Sequence, residues 1–169
     1  MPTPLSHAAV GFAIGAWTQQ PPPARRVCLV AAACAALPDI DFFGWPVAHR
    51  GLTHSLAFAV AGAAAATFIF SRDSRWVSQR ARIALVLGLA LLSHSCLDAL
   101  STYSYGIAFF APFSQQRYRF PWTPLGDPSG TLVGQLVQEA IFVLLPAVVL
   151  AWLAFRVRRK PLAPQTSSA

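Results

Sequence analysis

With 55% hydrophobic and only 11% charged residues among 169, the chain is too apolar for an ordinary soluble domain and too short for several domains. Its net charge of +7 comes from short basic clusters between apolar runs, not from an amphipathic face with interleaved aromatics, which argues against a nucleic-acid partner and for orientation in a lipid bilayer. The composition predicts one membrane-embedded unit over residues 1–160, an all-α polytopic transmembrane helical bundle, with 161–169, rich in Pro, Ser and Ala, as a disordered cytoplasmic tail.

Five apolar stretches follow one another, at residues 5–17, 27–37, 55–70, 83–100 and 132–155. The last two are long enough to span a bilayer, while the first two fall short of the roughly 20 residues a spanning helix needs. These two are expected to tilt, to be shielded by other helices, or to pair as a re-entrant hairpin, giving four to five membrane segments and an outward-facing loop cluster. The first stretch has no Lys or Arg ahead of it and contains His7, so it makes a poor secretory signal and is expected to remain in the mature protein. Cys28, Cys34 and Cys96 lie inside apolar runs without the close pairing of a zinc knuckle or redox motif, and read as small buried apolar residues.

Short loops rich in Lys and Arg stay cytoplasmic. Arg25 and Arg26 follow the first stretch, Arg72, Arg75, Arg80 and Arg82 the third, and Arg156, Arg158, Arg159 and Lys160 the fifth, so ten basic residues share one face and Arg50, Arg117 and Arg119 lie on the other. An N-out, C-in topology follows. On it, all four histidines and every acidic residue except Asp73 gather at the outward side. Ionisable groups near bilayer depth are costly unless paired or bound to a cation, which makes this sorting a functional signal.

Four places carry that signal in chain order. His7 opens the first stretch after Pro4 and Ser6, residues suited to a helix start. Asp39 and Asp41 stand two apart after Pro38, on backbone read as extended or turning; such close carboxylates repel unless a cation neutralises them, the plainer alternative being an Asx turn with a helix cap. In His49-Arg50-Gly51-Leu52-Thr53-His54-Ser55, Gly51 permits a sharp turn, Thr53 or Ser55 can bond the opening helix or a ligand's second ring nitrogen, and both histidines can face one ion. In Ser93-His94-Ser95-Cys96-Leu97-Asp98, His94 and Asp98 share a helix face, as two ligands of one cation or as a hydrogen-bonded pair.

The candidate ligands are therefore His7, Asp39, Asp41, His54, His94 and Asp98, with His49 and Asp39 as candidate proton acceptors. This nitrogen and oxygen set suits zinc, with manganese or iron as alternatives, in one or two ions per chain. The outward loop 101–130 adds Tyr103, Tyr105, Tyr118 and Trp122, suited to a membrane interface, and Arg117 and Arg119, which with Arg50 could face a phosphate, a carboxylate or a lipid headgroup. Glu139, in the outward part of the last stretch, reads as a base, a ligand or an arginine's counter-ion.

Thr3-Pro4-Leu5-Ser6-His7, Leu37-Pro38-Asp39-Ile40-Asp41, the His49–Ser55 block, Ser93-His94 through Leu97-Asp98, and Pro112-Phe113-Ser114 with Arg117-Tyr118 resemble the motifs of the membrane-bound metal-dependent hydrolase family typified by the YdjM inner-membrane protein. The resemblance runs from residue 3 to about 125, its most specific part being His-Arg-Gly-x-Thr-His. It implies a bacterial inner-membrane protein with metal-dependent hydrolase activity. The residues lead to the expectation that a cation held by His54, His94 and Asp98 with Asp39 or Asp41 activates water at the periplasmic face, against an amphiphilic substrate such as a lipid phosphoester. A non-catalytic metal-binding membrane protein, acting in transport or sensing, is the alternative.

Overall fold

A computed structural model of the chain describes residues 2–43, 49–102, 105–126 and 130–158. The expected tail at 161–169 lies outside the described residues, as do Tyr103, Arg159 and Lys160. The described regular elements are all helical, and no strand occurs among the described residues beyond two isolated bridges.

The helices begin and end where local chemistry dictates. Helix α1 (Pro4–Thr18) starts on a proline, whose missing N–H costs nothing in a first turn, and stops ahead of three consecutive prolines. Helix α2 (Arg25–Ala36) gives way to a 3₁₀ helix, Leu37–Phe43, around Pro38. Helix α3 (Leu56–Phe70) is capped by Ser55, whose Oγ accepts from Phe58 N at 3.1 Å. Helix α4 (Arg80–Ala99) extends a 3₁₀ turn into a 26-residue rod, Ser74–Ala99. Helix α5 (Leu132–Glu139), a π turn at Ala140–Leu144 and helix α6 (Leu145–Val157) form a second rod of 26 residues.

Helices α1 and α2 pair as an antiparallel hairpin of close approach. A Cβ on Gly11 would sit 2.5 Å from the Ala31 carbonyl oxygen and from Ala35 Cβ, and one on Gly15 would sit 2.9 Å from Cys28 Cα. Small residues four apart let two backbones touch, the usual solution for helices packing within lipid. Helix α4 packs against α1, α2 and α3, and α6 lies along α1. The core between them is built from Val27, Ala31, Ala63, Val86, Leu87, Ala90 and their neighbours.

Large apolar side chains cover the outside: Val60, Phe68, Leu85, Ile141, Phe142 and Trp152 are all more than half exposed. Histidines and aspartates fill the inside at one end. This inversion is what a lipid environment selects. The two rods have the length and apolarity of membrane spans, in agreement with the sequence. Helices α1, α2 and α3, with 15, 12 and 15 residues, reach only about 22, 18 and 22 Å against a hydrocarbon core of roughly 30 Å.

The two ends of the bundle differ chemically. At one end Arg26 pairs with Asp73 at 3.3 Å, Arg80 Nε donates to Ser71 Oγ, and Arg158 donates to carbonyls of Ala16, Trp17 and Gln19. The start of α1, the end of α2, the start of α3 and the end of α4 meet at the other. The loop after α4 folds over that second end, through Leu56 N to Phe109 O, Ala108 N to Arg50 O and Phe120 N to Ala99 O.

Candidate metal centre

His7, His54, His94, Asp41 and Asp98 are fully buried, and Asp39 is nearly so. The rings of His7 and His94 stack with centroids 3.8 Å apart, and His54 meets His94 edge-on at 4.6 Å. Two sets of donor atoms lie within 4.8 Å of one another, His7 with His94 and Asp98, and Asp39 with His54 and His94. His94 belongs to both.

Hydrogen bonds fix which nitrogen of the His94 and His54 rings carries its proton. His94 Nδ1 lies 2.7 Å from the Ala35 carbonyl oxygen, which can only accept, so Nδ1 donates and Nε2 keeps a lone pair. His54 Nδ1 stands 3.3 Å from Asp41 Oδ2 and 3.0 Å from Thr53 Oγ1. Facing an ionised carboxylate it too donates, and its Nε2 turns inward. The two Nε2 atoms then confront each other at 3.0 Å. Two lone pairs at that distance repel, so a proton or a cation must lie between them.

Carboxylates surround that pair. Asp39 Oδ1 is 3.6 Å from His94 Nε2, Asp98 Oδ2 is 3.5 Å from His54 Nε2, and Asp98 Oδ1 is 3.5 Å from His7 Nε2. Among the described residues, neither oxygen of Asp39 or of Asp98 has a hydrogen-bond partner. Buried carboxylates without donors are rare and call for an ion or a proton. Arg50 Nε, 3.3 Å from Asp98 Oδ2, supplies part of the compensation.

Burial raises the proton affinity of Asp39 above that of an ordinary aspartate. Burial also opposes charge on Asp41, but hydrogen bonds from His54, Thr53 and His49 outweigh it and hold this carboxyl well below the usual range. For His54, burial disfavours the cation, yet the neighbouring carboxylates of Asp41 and Asp98 prevail and raise its basicity.

Asp39 and Asp41 do not face one another. At about 120° per residue in a 3₁₀ helix, side chains two apart diverge; of the extended or turning backbone expected from the sequence, the turning form is present. Asp39 turns to His94. Asp41 instead takes His49 Nδ1 at 2.6 Å, Arg50 N at 3.0 Å, the Thr53 hydroxyl and His54 Nδ1, so both of its oxygens are engaged in orienting the His49–His54 turn. That turn bends at Arg50, whose φ is +60°, and at Gly51, whose φ of −96° and ψ of −118° lie outside the ordinary helical and extended regions, as the sequence led one to expect of a glycine there. A non-glycine residue held at the positive φ of Arg50 is strained and needs surroundings that fix it, here Asp41 and Ala108.

A family model described as YdjM inner membrane protein matches residues 1–162. The chain belongs to that family. The Inner membrane protein YbcI of Escherichia coli (strain K12) is 32% identical over 177 aligned residues, which cover 94% of this chain and 100% of the relative. No solved structure matches. Family and relative agree on the inner membrane.

Within this YdjM-family chain the remaining expected site residues lie further out. His49 is partly exposed, with its side chain at 29%. Arg117 braces the covering loop, donating to Gly106 O at 3.1 Å and His49 O at 3.4 Å, and Arg119 is exposed. Among the described residues Glu139 pairs with no arginine; it accepts from Thr3 N and Thr3 Oγ1. Sequence reasoning missed the bond from Ser95 Oγ to the His54 carbonyl, the Ala35 carbonyl on His94 and the Arg50–Asp98 pair. Ser95 could have been noticed beside His94; a main-chain carbonyl leaves no sequence signal.

Proposed function

We propose that this protein holds a divalent metal ion at one edge of the inner membrane and uses it to hydrolyse an amphiphilic substrate. The observation that carries the reading is the 3.0 Å approach of His54 Nε2 to His94 Nε2, each nitrogen aimed by a bond at the opposite ring position, beside Asp39 and Asp98, whose carboxylates have no hydrogen-bond partner among the described residues. Two imidazole nitrogens bound to one tetrahedral zinc stand about 3.3 Å apart, close to this separation. His54, His94 and Asp98 would hold the ion, with His7 beside them. Asp41 orients His54 and is better suited to that task than to ligation.

A bound cation supplies Lewis acidity, lowering the pKa of a water molecule toward neutrality and polarising the bond to be cleaved. The chain's own residues do the rest. Asp39, with proton affinity raised by burial, accepts the proton of the attacking water. His49, tied to Asp41 and partly exposed, passes it toward solvent. Arg50 offers a guanidinium for negative charge that develops on the substrate.

We assign the site to the periplasmic face, with the arginine-rich end in the cytoplasm and the two rods and three shorter helices forming a multi-pass bundle of one domain. Exposed Tyr105, Phe113 and Trp122 on the covering loop suit the headgroup level beside the site and favour a lipid-like substrate, a lipid phosphoester being the first to try. The test is metal analysis of purified protein with His54→Ala and His94→Ala controls, followed by a panel of lipid phosphoesters and esters. Co-purified metal lost in both variants, with metal-dependent turnover, is expected. Metal without turnover across the panel would favour a carrier or sensor, and no bound metal would end the reading.

A further inference from the structure

Glu139 lies in the rod Leu132–Val157, most of whose large side chains face outward, yet it is 6% exposed. Its Oε1 accepts from Thr3 N at 2.5 Å and Thr3 Oγ1 at 2.6 Å, across 136 residues of sequence. Among the described residues, Oε2 is buried and has no hydrogen-bond partner. A carboxyl on a membrane helix is costly and is kept for a reason. Thr3 is the N-cap of α1 but makes no side-chain cap bond of its own, so the cap is supplied from another helix.

The rod is shaped to deliver this side chain. Its buried positions Glu139, Val143 and Ala147 recur every four residues, with Ala154 seven further on. In a regular α-helix each such step overshoots a full turn by about 40°, and two would carry the stripe about 80° off its face. The wider π turn at Ala140–Leu144 absorbs the overshoot. It falls where Pro146 has no N–H to give the Phe142 carbonyl, so the ordinary ladder is already broken there.

What the clamp holds is the first turn of α1. Ser6 N and His7 N both donate to the Thr3 carbonyl, at 3.0 and 3.2 Å. His54 and His94 are each oriented by a bond at the ring nitrogen away from the cluster. His7 has no such bond among the described residues; its ring stacks on His94, and Nε2 stands 3.5 Å from Asp98. Its placement therefore depends on where the backbone of α1 begins.

We infer that Glu139 is a positioning residue: by clamping Thr3 it sets the first turn of α1, and with it His7, in the metal centre. The inference rests on the metal-centre reading for its consequence, but the clamp can be observed without metal. The full chain, purified in detergent, is compared as wild type, Glu139→Leu, Glu139→Gln, Thr3→Val and His7→Ala. Hydrogen exchange at the amides of residues 5–7 is followed without metal, and the visible spectrum during Co²⁺ titration.

Glu139→Leu is expected to speed that exchange about fivefold, the size of a lost cap, and to weaken Co²⁺ binding about tenfold, as removal of an orienting partner does, with a spectrum shifted toward that of His7→Ala. Glu139→Gln keeps an acceptor oxygen and should stay near wild type. Thr3→Val probes the clamp from the α1 side without disturbing the rod, and should show the same changes at smaller size. Wild-type exchange and spectrum in both Glu139→Leu and Thr3→Val, or in Thr3→Val alone should Glu139→Leu not fold, would overturn the inference. If the wild type binds no Co²⁺, the metal-centre reading and the role given to His7 both fall, and the exchange data show separately whether the clamp exists.

Discussion

His54 Nε2 and His94 Nε2 meet at 3.0 Å although 40 residues separate them in sequence, because each ring is held from behind: His94 by the Ala35 carbonyl, His54 by Asp41 and Thr53. Asp41 thus connects the 3₁₀ turn after α2 to the turn before α3.

Substitutions at Asp41 and His54 should therefore differ in kind. Asp41→Ala removes an orienting partner and should weaken metal binding 10- to 100-fold without abolishing it, the range seen for such partners. His54→Ala should abolish it. A chelator competition titration distinguishes them, and wild-type affinity in Asp41→Ala would refute the orienting role.

Metal affinity should fall with acidity. The proton affinity of His54 is raised above the ordinary histidine value by its carboxylate neighbours despite burial, so in the metal-free protein a proton occupies the space between the two Nε2 atoms below that raised pKa. A cation must displace it, and apparent affinity should drop about tenfold per pH unit below the raised pKa and level off above it. Proton release on binding, measured by calorimetry in buffers of different ionisation enthalpy, checks the sign; proton uptake would contradict it.

Gly11→Val should destabilise the α1–α2 hairpin. The added side chain meets the Ala31 carbonyl and Ala35 Cβ, backbone and short side chain that cannot rotate away. Overpacking of this kind costs about 1–3 kcal/mol or more. Val60→Ala, on a side chain 72% exposed at the outer face, should change little. Thermal unfolding in detergent compares the two, and equal midpoints would remove the close crossing from the account.

Reporter fusions should divide the two ends of the bundle. Cytoplasmic signal is expected after Arg75 and after Arg158, and periplasmic signal from the loop between Tyr103 and Pro128. A cytoplasmic signal from that loop would reverse the assignment of the site.

The sequence read well where physics is local. Apolar run lengths located all five hydrophobic stretches, Ser55 was recognisable as a residue able to open α3, and the i, i+4 spacing put His94 and Asp98 on one face. It read poorly where the answer lies in side-chain direction. Asp39 and Asp41 look equivalent as a pair of acids, but the 3₁₀ backbone around Pro38 sends them to different partners. The bend expected at Gly51 also takes in Arg50, which nothing in the segment announces, because Asp41 and Ala108 fix the Arg50 backbone from outside it.

By itself, then, the sequence determined that this is an all-helical, lipid-facing chain with its imidazoles and most carboxylates at one end, since run length and charge sorting are set by the bilayer and need no partner. Only the tertiary structure decided which lone pairs meet, that Asp41 orients, and that Glu139 reaches Thr3. Hydrogen-bond direction depends on atoms contributed by distant helices, and no periodicity within one helix encodes where those atoms will be.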